Sequence, residues 1–540
     1  MVNARPAALA RAVPVALLAA VTMAIALGDA APGAPAQRQA AKQVIGFIGG
    51  AAGGAGGSFR EPSDVALYRG DTMDPGDDKI FVSEAAPGRN GRVQRLDGHG
   101  NFELMWGRDV VRAGFRGDTG TSFEVCRRTV SGDGGCKTAP PGGGAGELDM
   151  PIALAVSEAT GHVYVMDQGN RRVQQFDGDG RLIRAWGRFG VSPGGLLGTP
   201  SSGIAVDPRP PHDVFVGDVG NRRVMQFSAD GAFVRGWGWG VATGGAGFEV
   251  CAPEGGCMRG RARGRPAGVT ASGWPRHLAV GRDGIVYSAA LAHNDALIRF
   301  ASDPPPDGSD ASEALLAPLS VGPALSDGET LGMDLDPVSG RLVVARNPFG
   351  PAVVDEVANP GAPLDAGDGA APRAMVGDAL GYVRSVHGLG VREGGAIYVP
   401  VSHGLDPRDP SSSFGGCPAA GGPRPCQGLA VLGRSRTRWA ALTGATRASG
   451  SSATVAAAIE PVGAARYRLQ VTSDGRRWRD AGEPRYAGGP SALLATLSAG
   501  SLKPGVAYRA RVRIGTTTDG GSYHWTTSNE WVVAPRGVAR

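Results

Sequence analysis

The chain has 540 residues and a formal net charge of +5, with 19% charged residues. A basic excess this small over this length, carried almost wholly by arginine, does not indicate a surface selected for nucleic acid. Glycine (88) and proline (40) are abundant, which predicts many tight turns. Apolar, β-branched and aromatic residues nevertheless recur regularly, so the chain has material for a folded core. Its length predicts two or more domains.

The N-terminal segment 1–36 has the layout of a secretory signal peptide. Arg5 and Arg11 precede an apolar run from about Ala12 to Leu27, and small residues follow. The run is short for a membrane span, so the alternative of a retained anchor is less favoured. We therefore predict an exported protein, secreted or held in the cell envelope, with no stable transmembrane segment.

The six cysteines fall into three close pairs flanked by glycine. In an exported chain this spacing favours local disulfides, and the CxxC spacing with partnering histidine that zinc prefers is absent. The predicted pairs are Cys126 with Cys136, Cys251 with Cys257, and Cys417 with Cys426.

A repeat of short strands occupies most of the chain. Residues 167–187 (DQGNRRVQQFDGDGRLIRAWG) and 218–238 (DVGNRRVMQFSADGAFVRGWG) are near copies, and each belongs to a unit of four strands about ten residues apart. Weaker copies predict six such sheets before residue 433, and seven remains an alternative. Sheets repeated around an axis can cover one another, which predicts an all-β propeller. The last copy lacks a fourth strand, and KQVIGFIGG (42–50) is predicted to supply it, leaving no exposed edge.

The segment VYVMDQGNRRVQQFDGDGRLIRAWG resembles the NHL repeat, and the repeat copies cover roughly residues 42–433. The resemblance implies an NHL-repeat propeller domain over residues 37–433. We interpret its polar motif as architectural, because it recurs in each good copy while a binding site is usually singular. Asn170 and Asn221 are predicted to take left-handed turn geometry, and the arginines of both GNRR turns to form a basic rim. The motif residues are Asp167, Asn170 and Arg172, and Asp218, Asn221 and Arg223.

The C-terminal residues 450–535 resemble a fibronectin type III domain, which is an immunoglobulin-like β-sandwich. The stretch LKPGVAYRARVRI resembles its tyrosine corner, with Tyr508 as the corner residue. The second strand carries Ile459 where that family usually has a core tryptophan. Residues 434–449 are predicted to be a linker.

Two histidines are candidates for a site in the propeller channel. His277 and His387 each precede a predicted innermost strand. Peptidylamidoglycolate lyases, which resemble this family, hold a catalytic zinc there through histidines of separate blades. The aligned positions here include Ala153 and Gly203, so a third histidine is missing. Lactonase-type propellers place Glu, Asn and Asp around calcium, and Asp64 is the one obvious carboxylate at these positions.

These patterns favour binding over catalysis. The predicted function is extracellular binding or scaffolding, with loops and a propeller face recognising a protein or a polysaccharide, and no cofactor. The alternative is a lyase or hydrolase that depends on zinc or calcium in the channel. The signal peptide argues against nucleic acid as a partner, and we expect a monomer.

Overall fold

The computed structural model divides the chain into two units, 1–41 and 42–540. The described residues all belong to the second unit, so the predicted signal peptide lies outside them. Within them, no helix combines the length and apolarity that crossing a bilayer requires. The described ranges are 43–51, 53–69, 77–86, 88, 90–129, 134–196, 203–261, 275–289, 297–302, 315–319, 329–337, 340–347, 353–357, 373–376, 388–392, 396–402, 426–433, 439–442, 447–449, 452–460, 465–474, 476–481, 485–487, 493–499, 502–503, 506, 508–516, 524–527 and 531–533.

Strands make up almost all of the regular structure, and those up to residue 196 follow the first two repeats. A single strand, β1 (Gln43–Ala51), precedes them. Sheet 1 has five antiparallel strands, β2 (Pro62–Tyr68), β3 (Lys79–Ala86), β4 (Asn90–Asp97), β5 (Phe102–Arg108) and β6 (Phe123–Arg127). Sheet 2 has four, β7 (Pro151–Val156), β8 (Val163–Asp167), β9 (Arg172–Phe176) and β10 (Leu182–Trp186). A small parallel pair follows, β11 (Arg188–Phe189) and β12 (Gly195–Leu196).

The third repeat and its successors form three further sheets. Sheet 3 contains β13 (Ile204–Val206), β14 (Val214–Asp218), β15 (Arg223–Phe227), β16 (Phe233–Trp239) and β17 (Phe248–Cys251), with a 3-10 turn over Val219–Asn221. Sheet 4 contains β18 (His277–Val280), β19 (Ile285–Ala289), β20 (Leu297–Ala301) and β21 (Leu315–Leu319). Sheet 5 contains β22 (Glu329–Leu335), β23 (Leu342–Asn347), β24 (Val353–Val357) and β25 (Arg373–Val376).

The N-terminal strand completes the last of these sheets. Sheet 6 contains β26 (Gly390–Val391), β27 (Ile397–Ser402) and β28 (Cys426–Gly433), and its outer strand is β1. β1 runs antiparallel to β28, with Ile48 opposite Leu429. This pairing joins the two ends of the repeat region and covers the outer edge of β28.

The sheets pack in a closed series around their first strands. β2 contacts β7, β7 contacts β13, β13 contacts β18, β18 contacts β22, β22 contacts β26, and β26 contacts β2. Each sheet therefore has a neighbour on either face, which explains why β8 (VYVMD) is buried at every position rather than alternating. The arrangement is an all-β propeller.

An aromatic contact repeats between neighbouring sheets. The indole of Trp106, on the fourth strand of sheet 1, packs against Phe176 on the third strand of sheet 2, with ring centroids 5.5 Å apart. Trp186 packs in the same way on Phe227 at 6.1 Å, and Trp237 on Phe300 at 5.2 Å. The tryptophan that ends each of these repeats thus packs between sheets, fully buried in Trp106 and Trp237 and partly buried in Trp186.

The Phe-Glu-Val-Cys sequence occurs twice, at residues 123–126 and 248–251, and both copies form strands. β6 pairs with β5 with Val125 opposite Trp106, and β17 pairs with β16 with Val250 opposite Trp237. Both segments add a fifth strand in the same register, because their β-branched and aromatic residues can extend the adjacent edge.

Two antiparallel sheets follow the propeller. One contains β29 (Trp439–Leu442), β30 (Arg447–Ser449), β31 (Ser452–Glu460) and β35 (Leu493–Ala499). The other contains β32 (Ala465–Thr472), β33 (Arg479–Asp480), β34 (Arg485–Ala487), β36 (Tyr508–Thr516), β37 (His524–Thr527) and β38 (Trp531–Val533). β29 and β30 lie within residues 434–449, where a linker was expected, and both pair with β31.

Candidate functional site

The first strands of sheets 1 to 6 surround a cavity of about 460 Å³. One layer of its wall consists of equivalent positions near the starts of these strands. Strand register places Asp64 opposite Ser83, Ala153 opposite Met166, His277 opposite Ala289 and Gly332 opposite Ala345. The layer comprises Asp64, Ala153, Gly203, His277, Gly332 and Gly388, and all of them except Gly332 line the cavity.

Asp64 is held by main-chain amides on two neighbouring sheets. Its Oδ1 accepts a hydrogen bond from the Val65 N–H at 2.8 Å, and its Oδ2 accepts one from the Leu154 N–H at 2.7 Å. Burial raises the pKa of Asp64 well above its usual range, these two bonds oppose the rise, and the nearby Asp334 adds to it. A Cβ on Gly388 would overlap the Asp64 carboxylate, so only glycine fits opposite it.

Asp334 repeats this geometry on the first strand of sheet 5, two residues after Gly332, which is the layer position of that strand. Its Oδ1 accepts from the Leu335 N–H and its Oδ2 from the Val391 N–H on sheet 6, both at 2.8 Å. Burial raises the pKa of Asp334 to about 7, against the two backbone hydrogen bonds. The sequence comparison of strand starts did not find this residue, because Asp334 is offset from the layer that contains Asp64 and His277.

The described donor groups do not fit a catalytic zinc or calcium in this layer. His277 is buried and lines the cavity, whereas His387 lies outside the described residues. Both Asp64 oxygens already accept backbone hydrogen bonds, and the other positions carry alanine or glycine. No group of three or more His, Cys, Asp or Glu suited to a metal ion occurs among the described residues. Zinc catalysis needs three protein ligands and an open position.

Charges of both signs surround the end of the cavity where the first strands finish. Arg69, Glu158 and Arg282 line it, together with Asp78 and Arg392, which form an ion pair. Burial raises the pKa of Glu158, and the charges of Arg69 and Arg282 oppose that rise. This end presents fixed acidic and basic groups to anything that enters.

The repeat motif forms a hydrogen-bond network at each good copy. In sheet 2, Asp167 accepts from Asn170 Nδ2 at 2.9 Å, from Arg172 Nε at 2.8 Å and from the Asp149 N–H at 2.7 Å. Burial raises the pKa of Asp167, and all three of these bonds oppose the rise. Arg172 also donates to the carbonyl of Glu147 at 2.9 Å, so the network ties the turn to the connection that enters the sheet.

Sheet 3 contains the same network in fully buried form. Asp218 accepts from Asn221 Nδ2 at 2.6 Å and from Arg223 Nε at 3.2 Å. The Arg223 guanidinium donates to the carbonyls of Val191 at 2.7 Å and Met258 at 3.3 Å. Burial lowers the pKa of Arg223, and the Asp218 charge counteracts this. Arg223 therefore fastens two separate connecting segments to one turn.

Two local expectations about the GNRR turns are wrong. The left-handed residues are Arg171 (φ 53°) and Arg222 (φ 54°), and the preceding asparagines instead use their side chains on the aspartates. The basic rim loses Arg223, which is buried, and Arg172, which is mostly buried in its ion pair with Asp167. The second arginine of each motif, Arg172 or Arg223, forms an ion pair inside its network and therefore does not contribute to a surface rim.

Two of the three predicted disulfides are present. Cys126 bonds to Cys136 and Cys251 to Cys257, and both bonds anchor the fifth strands β6 and β17 to the loops beside them. Cys417 lies outside the described residues, so the third pair stays a prediction.

No protein-family model matches the chain, and no curated protein matches it. Solved structures do resemble it over part of its length. A gluconolactonase from Xanthomonas campestris is 18% identical, covering 56% of this chain and 81% of that one, with a TM-score of 0.29. A virginiamycin B lyase from Staphylococcus aureus is 10% identical over 74% and 93%, with a TM-score of 0.32.

A third similar structure is the Cps50 (Swd1) β-propeller domain of Myceliophteria thermophila. It is 11% identical and covers 63% of this chain and 94% of that domain, with a TM-score of 0.34. At these low scores, the strand pairing and the closed contact series are what define the propeller in this chain.

Proposed function

We propose that this chain is an exported six-bladed propeller of the NHL type that works by binding, as a monomer. The count of six rests on six sheets whose first strands contact one another in a closed series. The NHL assignment rests on the Asp-Asn-Arg network, which recurs with the same hydrogen bonds in two sheets.

A C-terminal fibronectin type III domain belongs to the same proposal. Two antiparallel sheets support it, and so does the hydroxyl of Tyr508, which accepts a hydrogen bond from the Lys503 N–H at 3.0 Å. A tyrosine bonded to the backbone a few residues upstream is the feature that the tyrosine corner requires.

Binding is favoured over catalysis by one observation in the cavity. All four carboxylate oxygens of Asp64 and Asp334 accept backbone amides: in each aspartate, one oxygen accepts from its own strand and the other from the first strand of the neighbouring sheet. The inward amides of these strands have no partner strand on that side, so the two carboxylates satisfy groups that would otherwise be buried without acceptors. Their primary role is to join neighbouring sheets.

The proposed partner is an extracellular protein or polysaccharide, recognised through the connecting loops and a propeller face. Disulfides hold two of those loops, so they keep a defined shape for recognition at a lower entropic cost.

The test combines metal analysis with binding. Purified full-length exported protein and a His277→Ala variant are assayed for bound zinc and calcium and for co-sedimentation with insoluble cell-wall polysaccharide and with immobilised extracellular proteins. We expect saturable binding by both forms and no metal that depends on His277. Stoichiometric metal that is lost in the variant, with no binding in any panel, would overturn the proposal.

A lyase or hydrolase is the second candidate, and Asp334 is the observation that favours it. A carboxyl group with a pKa of about 7 in a cavity is suited to donate or accept a proton near neutral pH. Turnover of a lactone or amide substrate that Asp334→Asn abolishes, while leaving folding intact, would establish this candidate over binding.

A further inference from the structure

The most exposed large apolar side chain of the described residues belongs to a solvent-facing cluster on the segments that follow sheets 2 and 3. Phe189 is 67% exposed, Val191 46% and Met258 48%. Single exposed apolar residues are ordinary, whereas a cluster on a rigid support is typical of an interaction surface. We call these three residues, together with Arg171, Arg188, Arg259 and Arg261, the arginine–apolar patch.

One buried side chain brings the two halves of this patch together. Arg223 Nη1 donates both to the Val191 carbonyl and to the Met258 carbonyl, although these residues lie in different loops. Arg223 Nη2 donates to the Gly195 carbonyl at 2.8 Å, which fixes the far side of the first loop. Val191 and Met258 are therefore neighbours.

Further hydrogen bonds fix the backbone beneath the patch. Asn221 Nδ2 donates to the Gly190 carbonyl at 3.0 Å, and the Gly260 N–H donates to the Asn221 carbonyl at 2.7 Å. The Cys251–Cys257 disulfide ends next to Met258. Because the backbone is held in place, the exposed side chains lose little freedom when they bind, which favours affinity.

The patch is strongly cationic. Arg171, Arg188, Arg259 and Arg261 are exposed, and the Arg171 guanidinium lies 4.8 Å from the centroid of the Phe189 ring. A Cβ on Gly244 would lie 3.7 Å from Met258 Sδ and 3.9 Å from Arg261 Nη2, so these two side chains also adjoin.

Few negative charges offset these arginines. The loops 187–196 and 240–261 contain only two acidic residues, Glu249 and Glu254. The Glu249 carboxylate, on β17, accepts hydrogen bonds from the Ala242 and Thr243 amides of the loop that precedes this strand. An anionic partner therefore has the complementary charge.

We infer that the arginine–apolar patch docks an acidic protein segment that also carries apolar side chains. Phenylalanine, methionine and arginine are the residue types enriched at protein interfaces. A guanidinium stacked on an aromatic ring still directs its N–H edge at a carboxylate. The stacking also places a cation over the Phe189 ring, which disfavours inserting that ring into lipid. This inference rests on the proposed binding function and deepens it by naming the surface and the partner class.

The experiment measures binding of the purified exported protein to a fluorescent synthetic peptide in which Glu and Asp are interspersed with Leu and Phe. The same peptide with Lys at the acidic positions is the charge control. We expect saturable binding of the acidic peptide only, weakened by salt because the charges are solvent-exposed. Phe189→Ser and Met258→Ser should each weaken binding at least about tenfold, and Arg171→Glu should do the same.

Phe115→Ser is the matched control, since Phe115 is 49% exposed in the connection between β5 and β6, beside Gly135 of the loop that the other disulfide closes. It should leave affinity unchanged, and all variants should keep the wild-type melting temperature. Equal losses for Phe115→Ser and Phe189→Ser, or no peptide binding at millimolar concentration, would overturn the inference.

Other occupants give distinct results. The protein is tested in the same way with mixed phosphatidylcholine–phosphatidylglycerol vesicles, with alginate and with a second copy of the chain. Binding to any of these without binding of the peptide would contradict the inference and assign the patch to that partner instead. If the protein binds a cell-wall or extracellular partner and the patch variants do not change that binding, this inference fails while the proposed function stands.

Discussion

The carboxylate of Asp64 accepts the backbone N–H of Leu154, 2.7 Å away on the first strand of the next sheet. Asp334 makes the same contact with Val391 at 2.8 Å, between sheets 5 and 6. Each carboxylate also accepts the amide of the residue that follows it. Two junctions between neighbouring sheets thus use one device, a side chain that satisfies strand-edge amides facing the cavity.

Asp64→Ala should destabilise the protein by about 1–3 kcal/mol, because it leaves the buried amides of Val65 and Leu154 without acceptors. Thermal and urea unfolding measure the effect. Asp179→Ala is the control, since the Asp179 side chain is half exposed in surface ion pairs with Arg95 and Arg127 and should matter little. Equal stability of Asp64→Ala and wild type would contradict the role assigned to this carboxylate.

Asp334 should make stability fall as pH rises. Its folded pKa of about 7 exceeds the value of about 3.9 for an unfolded aspartate, so the folded state holds the proton more tightly. Its contribution is fully present below about pH 4 and is lost as pH rises through about 7. Asp64, whose pKa is also raised, acts in the same direction.

Melting temperatures between about pH 5 and pH 8 test this linkage. The wild type should lose more stability over that interval than Asp334→Asn, whatever the absolute stability of the variant. Parallel curves for the two proteins would show that Asp334 titrates normally in the folded state.

Arg223→Met should cost about 3–5 kcal/mol, because it leaves the Asp218 charge buried without its partner. It should also expose the loops 187–196 and 240–261 to proteolysis, since their carbonyls lose a shared donor. Arg222→Met is the adjacent control. Its side chain is half-buried and, among the described residues, makes one long hydrogen bond of 3.5 Å to the Gly260 carbonyl, so the change should be small. Similar cleavage of both variants would contradict the fastening role of Arg223.

Alkylation of the denatured, unreduced protein should label none of the six cysteines. Cys126–Cys136 and Cys251–Cys257 are bonded in the structure, and the local pairing predicts a Cys417–Cys426 peptide on non-reducing mapping. A reduced sample, in which all six become labelled, is the control. A label on Cys417 or Cys426 in the unreduced sample would reject the third pair.

The sequence predicted the strands well where the repeat is regular. In sheets 1 to 3 every strand of the unit occurs where alternating β-branched runs and glycine turns indicated it, and β1 completes sheet 6 as expected. The fourth strands of sheets 4 and 5, Leu315–Leu319 and Arg373–Val376, had no recognised signal. Degenerate copies lose the terminal tryptophan that marks this strand elsewhere.

The site was predicted only in part. Asp64 and His277, which the sequence placed near the starts of first strands, both line the cavity. Asp334 was missed. Arg172 and Arg223 were predicted to lie on a basic rim, but their side chains are largely buried in ion pairs with Asp167 and Asp218. Position in a repeat indicates where a residue lies along its strand, and it does not indicate which partner its side chain meets.

By itself the sequence determined the repeat, its strands, the closing N-terminal strand and the two described disulfides, because each depends on local periodicity or short spacing. Only the tertiary structure decided that Asp64 meets Leu154, that Arg223 joins Val191 to Met258, and that Phe189 stays exposed. These relationships bring together residues distant in the chain, and the packing of neighbouring sheets determines which polar groups are buried, paired or left facing solvent.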